Sequence, residues 1–431
     1  MTEPAALLQQ LIRFDTSNPP GRERECIEFV ANLLRDSGIE DVRVLGDDPE
    51  RPNVVARVPG EGAAPPLLLQ GHVDVVPTAG QRWTHPPFDG AIVDGEVWGR
   101  GALDMKGGVA MMLSAVLRRP RTAGDVILAF VADEEAGGRA GARFLVERHP
   151  ELFSEVRYSL GEFGGFSRDV AGRRFYPIAV AEKQMCALRA TVRGPGGHGS
   201  LPMRGGTAAR LAALLRALDR GRLPVHVTDV ARRSVGAMAD ALPRPAAASL
   251  RALLNPRLTD PVLRVLGDAG RTFEPALRNT VNATVVRAGG ALNVVPGEAT
   301  VDLDGRLLPG HRSEDLLREV HAVVGDDVEL EVTRYEPAPT ADVDYGLFDL
   351  LAGALREADP SGTPIPLLLP GITDGRLFAR LGIQHYGFVP LRLPKELRFD
   401  ELIHAADERV PIEALEFGTR AIGTVLERYG R

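Results

Sequence analysis

The chain has 431 residues, 44% hydrophobic and 25% charged, a globular balance that excludes disorder, collagen and coiled coil as its overall class. At roughly 100–200 residues per domain, that length predicts two or three domains. Its 51 basic and 58 acidic side chains leave a net charge of −7, which argues against sequence-independent binding of a nucleic-acid backbone.

Apolar positions recur at helical spacing over 5–13 and 22–36, with Ile27, Val30, Leu33 and Leu34 in the second stretch. Cys26 shares a face with Val30 and Leu33 and reads as core. Short apolar runs follow: VVARV (54–58), PLLLQG (66–71), VILAFVA (126–132) and VRYSLG (156–161). Each has strand length and ends at polar or glycine residues. Helical stretches at 107–118 and 139–148 separate them. Strands alternating with helices predict an α/β layer with a mainly parallel sheet.

The pattern changes near Lys183. CALRATVRG (186–194) alternates like a half-exposed antiparallel strand, and a helix bearing Leu211, Leu214, Leu215 and Leu218 follows. Residues 221–278 are rich in proline, arginine and alanine, with short helical pieces near 246–254 and 260–267. Alternating strands at 282–288 and 298–306, a helix at 312–324 and a strand at 327–334 complete a small α+β sandwich. After about residue 337 the α/β character returns, with a helix at 345–357, an apolar run at 365–369 and a final helix at 411–428. The expected architecture is one α/β domain built from 1–184 and 337–431. An α+β domain at 185–336, carrying the extra segment 221–278, interrupts it.

Five segments place polar groups where such a sheet forms its sites, at the carboxyl ends of strands and in adjoining loops. In GHVDVVP (71–77), Asp74 follows His72 by two residues and points the same way along an extended chain, placed to hold the imidazole. In GRGALDMKGG (99–108), Asp104 lies in a glycine-rich loop before a helix, where it either caps the helix or meets an ion. DEEAGG (133–138) follows a wholly apolar strand, and burying its acids costs several kcal/mol unless a cation neutralises them. A solvated acidic turn is the alternative there. SLGEFGG (159–165) contributes Glu162, and IHAADERV (403–410) contributes His404. Mixed histidine and carboxylate ligation suits zinc or a similar ion, and these acids suffice for two ions sharing a bridge.

The ordered set GHVDVVP, GRGALDMKGG, DEEAGG, GPGGHGS and IHAADE resembles a family of di-zinc hydrolases, over nearly the whole chain. That family includes aminoacylase, acetylornithine deacetylase, succinyl-diaminopimelate desuccinylase, carboxypeptidase G and the carboxypeptidase S group. WTHPPFDG (83–90) is similar to the carboxypeptidase S and desuccinylase-like branches. The resemblance implies a catalytic domain interrupted by a lid and dimerisation domain, with two Zn²⁺ per chain, or Co²⁺ or Mn²⁺ in their place. It implies that His72 and Glu162 bind one ion, Glu135 and His404 the other, and Asp104 both, before a cis peptide to Met105. Asp74 would orient His72, and Glu134 would be the general acid/base for a metal-bridging hydroxide. From the lid, His198 would stabilise the oxyanion, often in the site of a second subunit, and Asn282 and Arg306 would hold the substrate's carboxylate. The implied substrate is an N-acyl amino acid or small peptide with a free carboxylate. A dipeptidase or carboxypeptidase is the alternative to a deacylase, and a non-catalytic metal-binding relative is a more remote one.

Three features depart from or refine that pattern. The segment 221–278 lengthens the lid and bears on the expected homodimer surface. GITDG (371–375) resembles the family's GGTDA with Ile372 in place of its second glycine. The glutamate at 162 accompanies deacylases and carboxypeptidases in the family. A nucleotide-binding oxidoreductase is excluded because no GxGxxG joins the first strand to its helix. His85, His149, His226, His311, His321 and His385 lack comparable context and read as surface or packing residues. No run approaches the ~18 apolar residues of a membrane span. Two cysteines, Cys26 and Cys186, make no disulfide scaffold, and MTEPAALLQQL lacks a signal peptide's features, so the expected address is the cytoplasm.

Overall fold

The computed structural model describes residues 3–118, 120–337 and 342–431. The predicted return to the α/β domain at 337 therefore abuts residues 338–341, which lie outside the described ones.

Among the described residues, a nine-stranded sheet forms the larger layer. Its spatial order is Asp41–Leu45, Asn53–Val58, Val126–Val131, Leu67–His72, Tyr158–Gly161, Gln384–Gly387, Arg173–Glu182 and Thr363–Leu369, with Arg168–Val170 paired to Arg173–Glu182. The four central strands, from Val126–Val131 to Gln384–Gly387, run parallel, and the strand next to them on each side, Asn53–Val58 and Arg173–Glu182, joins antiparallel. Strand Val126–Val131 is apolar throughout because both its faces are covered. Leu128 and Phe130 enter a core with the helices Pro4–Arg13, Lys106–Leu117 and Ile412–Arg428. Ile127, Ala129 and Val131 enter a second core with Leu145 and Phe378. Each such buried large side chain contributes about 1.5–3 kcal/mol of transfer free energy.

A separate antiparallel sheet has the order Thr280–Ala288, Glu298–Leu307, Gln184–Arg193 and Glu329–Glu336. The helices Thr207–Arg220 and Ser313–Val324 cover one face, burying Leu188, Val301, Leu214 and Leu316 together. The expected alternation in Gln184–Arg193 is present: every second residue is buried.

The segment 221–278 packs differently from the sequence expectation. Its helices Asp229–Ala241, Arg244–Ala252 and Pro256–Leu266 form a core with Phe175 and Ile365, residues of the large sheet. The outer strands Arg173–Glu182 and Thr363–Leu369 would otherwise expose apolar side chains, and Ala231, Val235 and Met238 cover them. Strand Arg173–Glu182 and helix Asp229–Ala241 have no counterpart in the sequence reading. His226 and His311 meet Glu319 where this segment joins the lid: His226 Nε2 lies 2.7 Å from Glu319 Oε1, and Asn279 donates to Glu319 Oε2 at 2.9 Å. The two histidines therefore do have a context, as part of a polar joint between helix Ser313–Val324 and the segment.

Candidate active site

Parallel pairing brings the motifs together. Register sets His72 beside Val131, and Leu69 beside Leu160. The chain therefore leaves neighbouring strands at matching height, at Glu134 and Glu135 on one side of His72 and Glu162 on the other. Asp104 comes from the loop before helix Lys106–Leu117, across a cis peptide to Met105. That loop is tight: a Cβ on Gly107 would sit 2.1 Å from the Ala102 carbonyl oxygen.

Two donor groups result, His72–Asp104–Glu162 and Asp104–Glu135–His404, sharing Asp104. Asp104 Oδ1 is 3.2 Å from His72 Nε2, and its Oδ2 is 3.2 Å from His404 Nε2. Glu162 Oε2 lies 3.3 Å from His72 Nε2, and Glu135 Oε1 lies 3.3 Å from His404 Nε2. Donors bound tetrahedrally at 2.0–2.1 Å stand roughly 3.3 Å apart, which these spacings match. Glu135 Oε1 and Glu162 Oε1 are buried and make no hydrogen bond. The His226–Glu319 spacing of 2.7 Å is instead that of a direct hydrogen bond.

The electrostatics agree. Burial and then the neighbouring Glu162 push Glu134 well above the ordinary carboxyl range. Burial, opposed by His72, pushes Glu162 up to about 8. The adjoining carboxylates of Asp104 and then Glu135 push His404 up to about 10. Burial works against Asp104's charge, yet His404 and His72 hold its carboxyl well below the usual range. So many carboxylates in one small volume call for positive charge, and a pair of divalent cations fits the donor set.

Asp74 takes a different hold from the one expected. His72 Nδ1 lies 2.9 Å from the Asp74 backbone carbonyl and 3.5 Å from its carboxylate. The carboxylate instead accepts the backbone N–H groups of Glu134 and Glu135, each at 3.1 Å, and the Asn18 amide at 2.9 Å. Of the three consecutive acids, Asp133 turns away to Arg51 at 2.8 Å.

Sequence reasoning passed over several residues that hold this site. Glu408 is fully buried and accepts the N–H groups of Leu103 at 2.7 Å and Asp104 at 3.1 Å, and Arg100 pairs with it at 2.6 Å. Arg100 and Gln81 both donate to the His404 carbonyl, at 3.2 and 2.7 Å. Arg100 and Glu408 stand inside the quoted motifs, and that was the available signal. Asp374 of GITDG is buried with neither carboxylate oxygen hydrogen-bonded, and burial pushes it up to about 7.

Of the three lid residues, His198 belongs to neither donor group. His198 is exposed on the short strand Gly197–His198 and contacts Ser200 at 2.8 Å. Asn282 is exposed on Thr280–Ala288. Arg306 grips Asp304 with two nitrogens, at 2.7 and 3.0 Å, and its Nη1 is buried without a hydrogen bond.

Three curated relatives illustrate the comparisons. A probable carboxypeptidase S-like protein of Dictyostelium discoideum is 29% identical over 81% of this chain and 68% of its own length. An N-fatty-acyl-amino acid synthase/hydrolase of Xenopus tropicalis is 30% identical over 81% of this chain and 70% of its own. A succinyl-diaminopimelate desuccinylase of Paracoccus denitrificans is 28% identical over 99% of this chain and 98% of its own. Among solved structures, a metallo-carboxypeptidase of Sulfolobus solfataricus shares the fold over the full length of both chains, with a TM-score of 0.71 at 16% identity. The model of Peptidase family M20/M25/M40 matches residues 68–428, and the chain belongs to that family.

Proposed function

We propose that this chain is a hydrolase holding two Zn²⁺ ions, which cleaves the amide bond of an N-acyl amino acid or small peptide bearing a free carboxylate. The observation that carries the reading is the position of Asp104, with one oxygen at 3.2 Å from each of two histidines and a further carboxylate beside each. His72 and Glu162 would hold one ion, Glu135 and His404 the other, and Asp104 both. When bound, such a pair supplies Lewis acidity and a nucleophilic water at neutral pH. Glu134 is not among the ligands. Beside them, it takes the proton from the attacking water and delivers it to the leaving amine. Asp74 fixes the backbone from which Glu134 projects.

The lid contributes His198, Asn282 and Arg306, which act on the substrate's oxyanion and carboxylate. Arg306 retains the unused Nη1 for that purpose. The exposure of His198 and Asn282 is consistent with completion of the site by lid closure or by a second subunit. Strand Thr280–Ala288 lies at the edge of its sheet, and Val285, Val286, Leu292 and Val294 are exposed on or after it. An open edge of that kind favours a homodimer through the lid. Both cysteines are free and buried, in keeping with a cytoplasmic address, and no helix among the described residues is long and apolar enough to cross a membrane.

The test is release of free amine by the zinc-loaded protein from N-acetyl, N-succinyl and longer N-acyl amino acids, and from dipeptides with free or blocked carboxyl ends. Glu134→Gln should keep both ions and lose about 10²–10⁴ in kcat. Undiminished turnover in that variant would remove Glu134 from the mechanism.

A further inference from the structure

The motif WTHPPFDG begins against the loop 403–408, which carries His404. Thr84 donates to Asp407 twice, its N–H to Oδ1 at 2.7 Å and its hydroxyl to Oδ2 at 2.8 Å. Two residues before the motif, Gln81 donates through Nε2 to the His404 carbonyl at 2.7 Å. Both contacts span 323 positions of the chain. The Gln81 side-chain oxygen accepts from Arg100 at 2.8 Å and from Trp83 Nε1 at 3.2 Å. Arginine and indole N–H groups can only donate, so they turn the Gln81 oxygen toward themselves and its amide nitrogen toward His404. The Arg100 guanidinium also lies over the Trp83 ring, 5.2 Å from its centre.

The loop needs such support. His404 has a φ of +62° and Asp407 one of +61°, a region that residues with a side chain seldom adopt and keep only where their surroundings impose it. The His404 side chain is half exposed, so packing does little to hold it. After the loop the chain is fixed: Glu408 is buried against the Leu103 and Asp104 N–H groups, and Arg409–Pro411 pairs with Glu96–Trp98. Before it stands the single turn Phe399–Leu402. The anchors on His404 and Asp407 lie between these ends. They are exposed to solvent, where a hydrogen bond adds little to global stability. Their effect is local: they select one conformation of the loop.

We propose that Gln81, Trp83 and Thr84 form a clasp on this loop, and that Gln81 and Thr84 are positioning residues which set the affinity of the ion between Glu135 and His404. The proposal rests on the reading of His404 as a metal ligand. An ion's apparent affinity scales with the fraction of time that its ligand is in place. Opening the clasp lowers that fraction for His404. His72 is held separately: it lies on the strand Leu67–His72, and its Nδ1 is 2.9 Å from the Asp74 carbonyl. The clasp therefore acts on one ion of the pair. Arg100 differs, because it also pairs with Glu408 beneath the loop of the shared Asp104.

The experiment measures zinc bound per chain at graded free Zn²⁺, set by a chelator, in the wild type, Gln81→Leu, Asp407→Gly, Thr84→Val, Thr84→Ser and His404→Ala. Circular dichroism checks that each protein is folded. Glycine at 407 keeps the positive φ accessible, so that variant loses the carboxylate without straining the backbone. Gln81→Leu and Asp407→Gly should raise the free Zn²⁺ that half-fills the second site about 10–100-fold, and leave the first within about twofold. Thr84→Val should weaken the second ion less, because the Thr84 N–H still reaches Asp407, and Thr84→Ser should match the wild type. Equal weakening of both ions would make the clasp a general support and overturn the proposal. Second-ion affinity within about twofold of wild type in both Gln81→Leu and Asp407→Gly would overturn it too. His404→Ala tests the parent reading and should bind one ion. Two ions retained there would sink the ligand assignment and the clasp with it. One ion lost there, with Gln81→Leu and Asp407→Gly unchanged, would sink the clasp alone.

Discussion

Asp74 Oδ1 accepts the backbone N–H of Glu134 at 3.1 Å, and its Oδ2 accepts that of Glu135 at the same distance. One buried carboxylate on the His72 side of the cluster thus sets the positions of Glu134, the proposed general base, and Glu135, a proposed ligand, beyond the adjacent strand. Asp74→Asn keeps the shape and places a donor against one of those N–H groups. A loss of about 10–100-fold in kcat or metal affinity is expected. Kinetics and metal analysis on the variant check this, and a kcat within twofold of wild type would show that Asp74 positions nothing.

The two donor groups differ in exposure. The His72 side chain is 2% exposed and that of His404 is 49%. A chelator should therefore strip the ion between Glu135 and His404 first, leaving a species with one ion per chain. His404→Ala should retain one ion, and Asp104→Ala should lose both. Metal content followed during dialysis against chelator decides the order. Simultaneous loss of both ions would mean that exposure does not control exchange here.

Arg100 and Glu408 form a buried pair beneath the Asp104 loop. Removing one member leaves the other charged and unpaired, which costs about 3–5 kcal/mol. Arg100→Met should lower the unfolding free energy by that amount. Because Arg100 also donates to the His404 carbonyl, the variant should weaken metal binding as well. Chemical denaturation of the metal-free protein isolates the first effect, and a change under about 1 kcal/mol would contradict the buried-pair argument.

Asp359 supplies a pH-dependent term away from the site. Burial works to raise its pKa. Hydrogen bonds from Ser361 at 2.6 Å, Arg174 at 2.9 Å and Tyr176 at 2.8 Å outweigh it and hold the carboxyl well below the usual range. A folded pKa below the unfolded value near 3.9 stabilises the protein above that pH, and the contribution fades as pH falls through the folded value. Asp359→Asn should cost about 2–3 kcal/mol at pH 7. The difference from wild type should shrink below about pH 4. Melting curves at pH 7 and pH 3.5 test the sign, and a gap that widens in acid would refute it.

The central strands were legible because local chemistry is enough to mark them. VILAFVA has the length and the continuous apolar run of a strand covered on both faces, and it places DEEAGG at its end. The residues of the two donor groups were likewise readable as short motifs at the ends of strands and in adjoining loops. Strand Arg173–Glu182 and the seat of 221–278 were not, because neither has a local signature that says which surface it covers. The helices of that segment are amphipathic, and an amphipathic helix fits the lid or the large sheet equally well until Phe175 and Ile365 present themselves.

Sequence alone determined the residue types, their order along the chain and their place at the ends of strands or in adjoining loops, because spacing and polarity are properties of neighbours in the chain. Only the tertiary structure decided which atoms meet. It set Asp104 between two histidines that lie 332 positions apart in the chain. It gave Asp74 to the backbone of Glu134 and Glu135, and it opened a cavity lined in part by Glu162. Those relationships depend on parallel register and on loops that cross between strands, and distances across a sheet are not written in the order of residues along it.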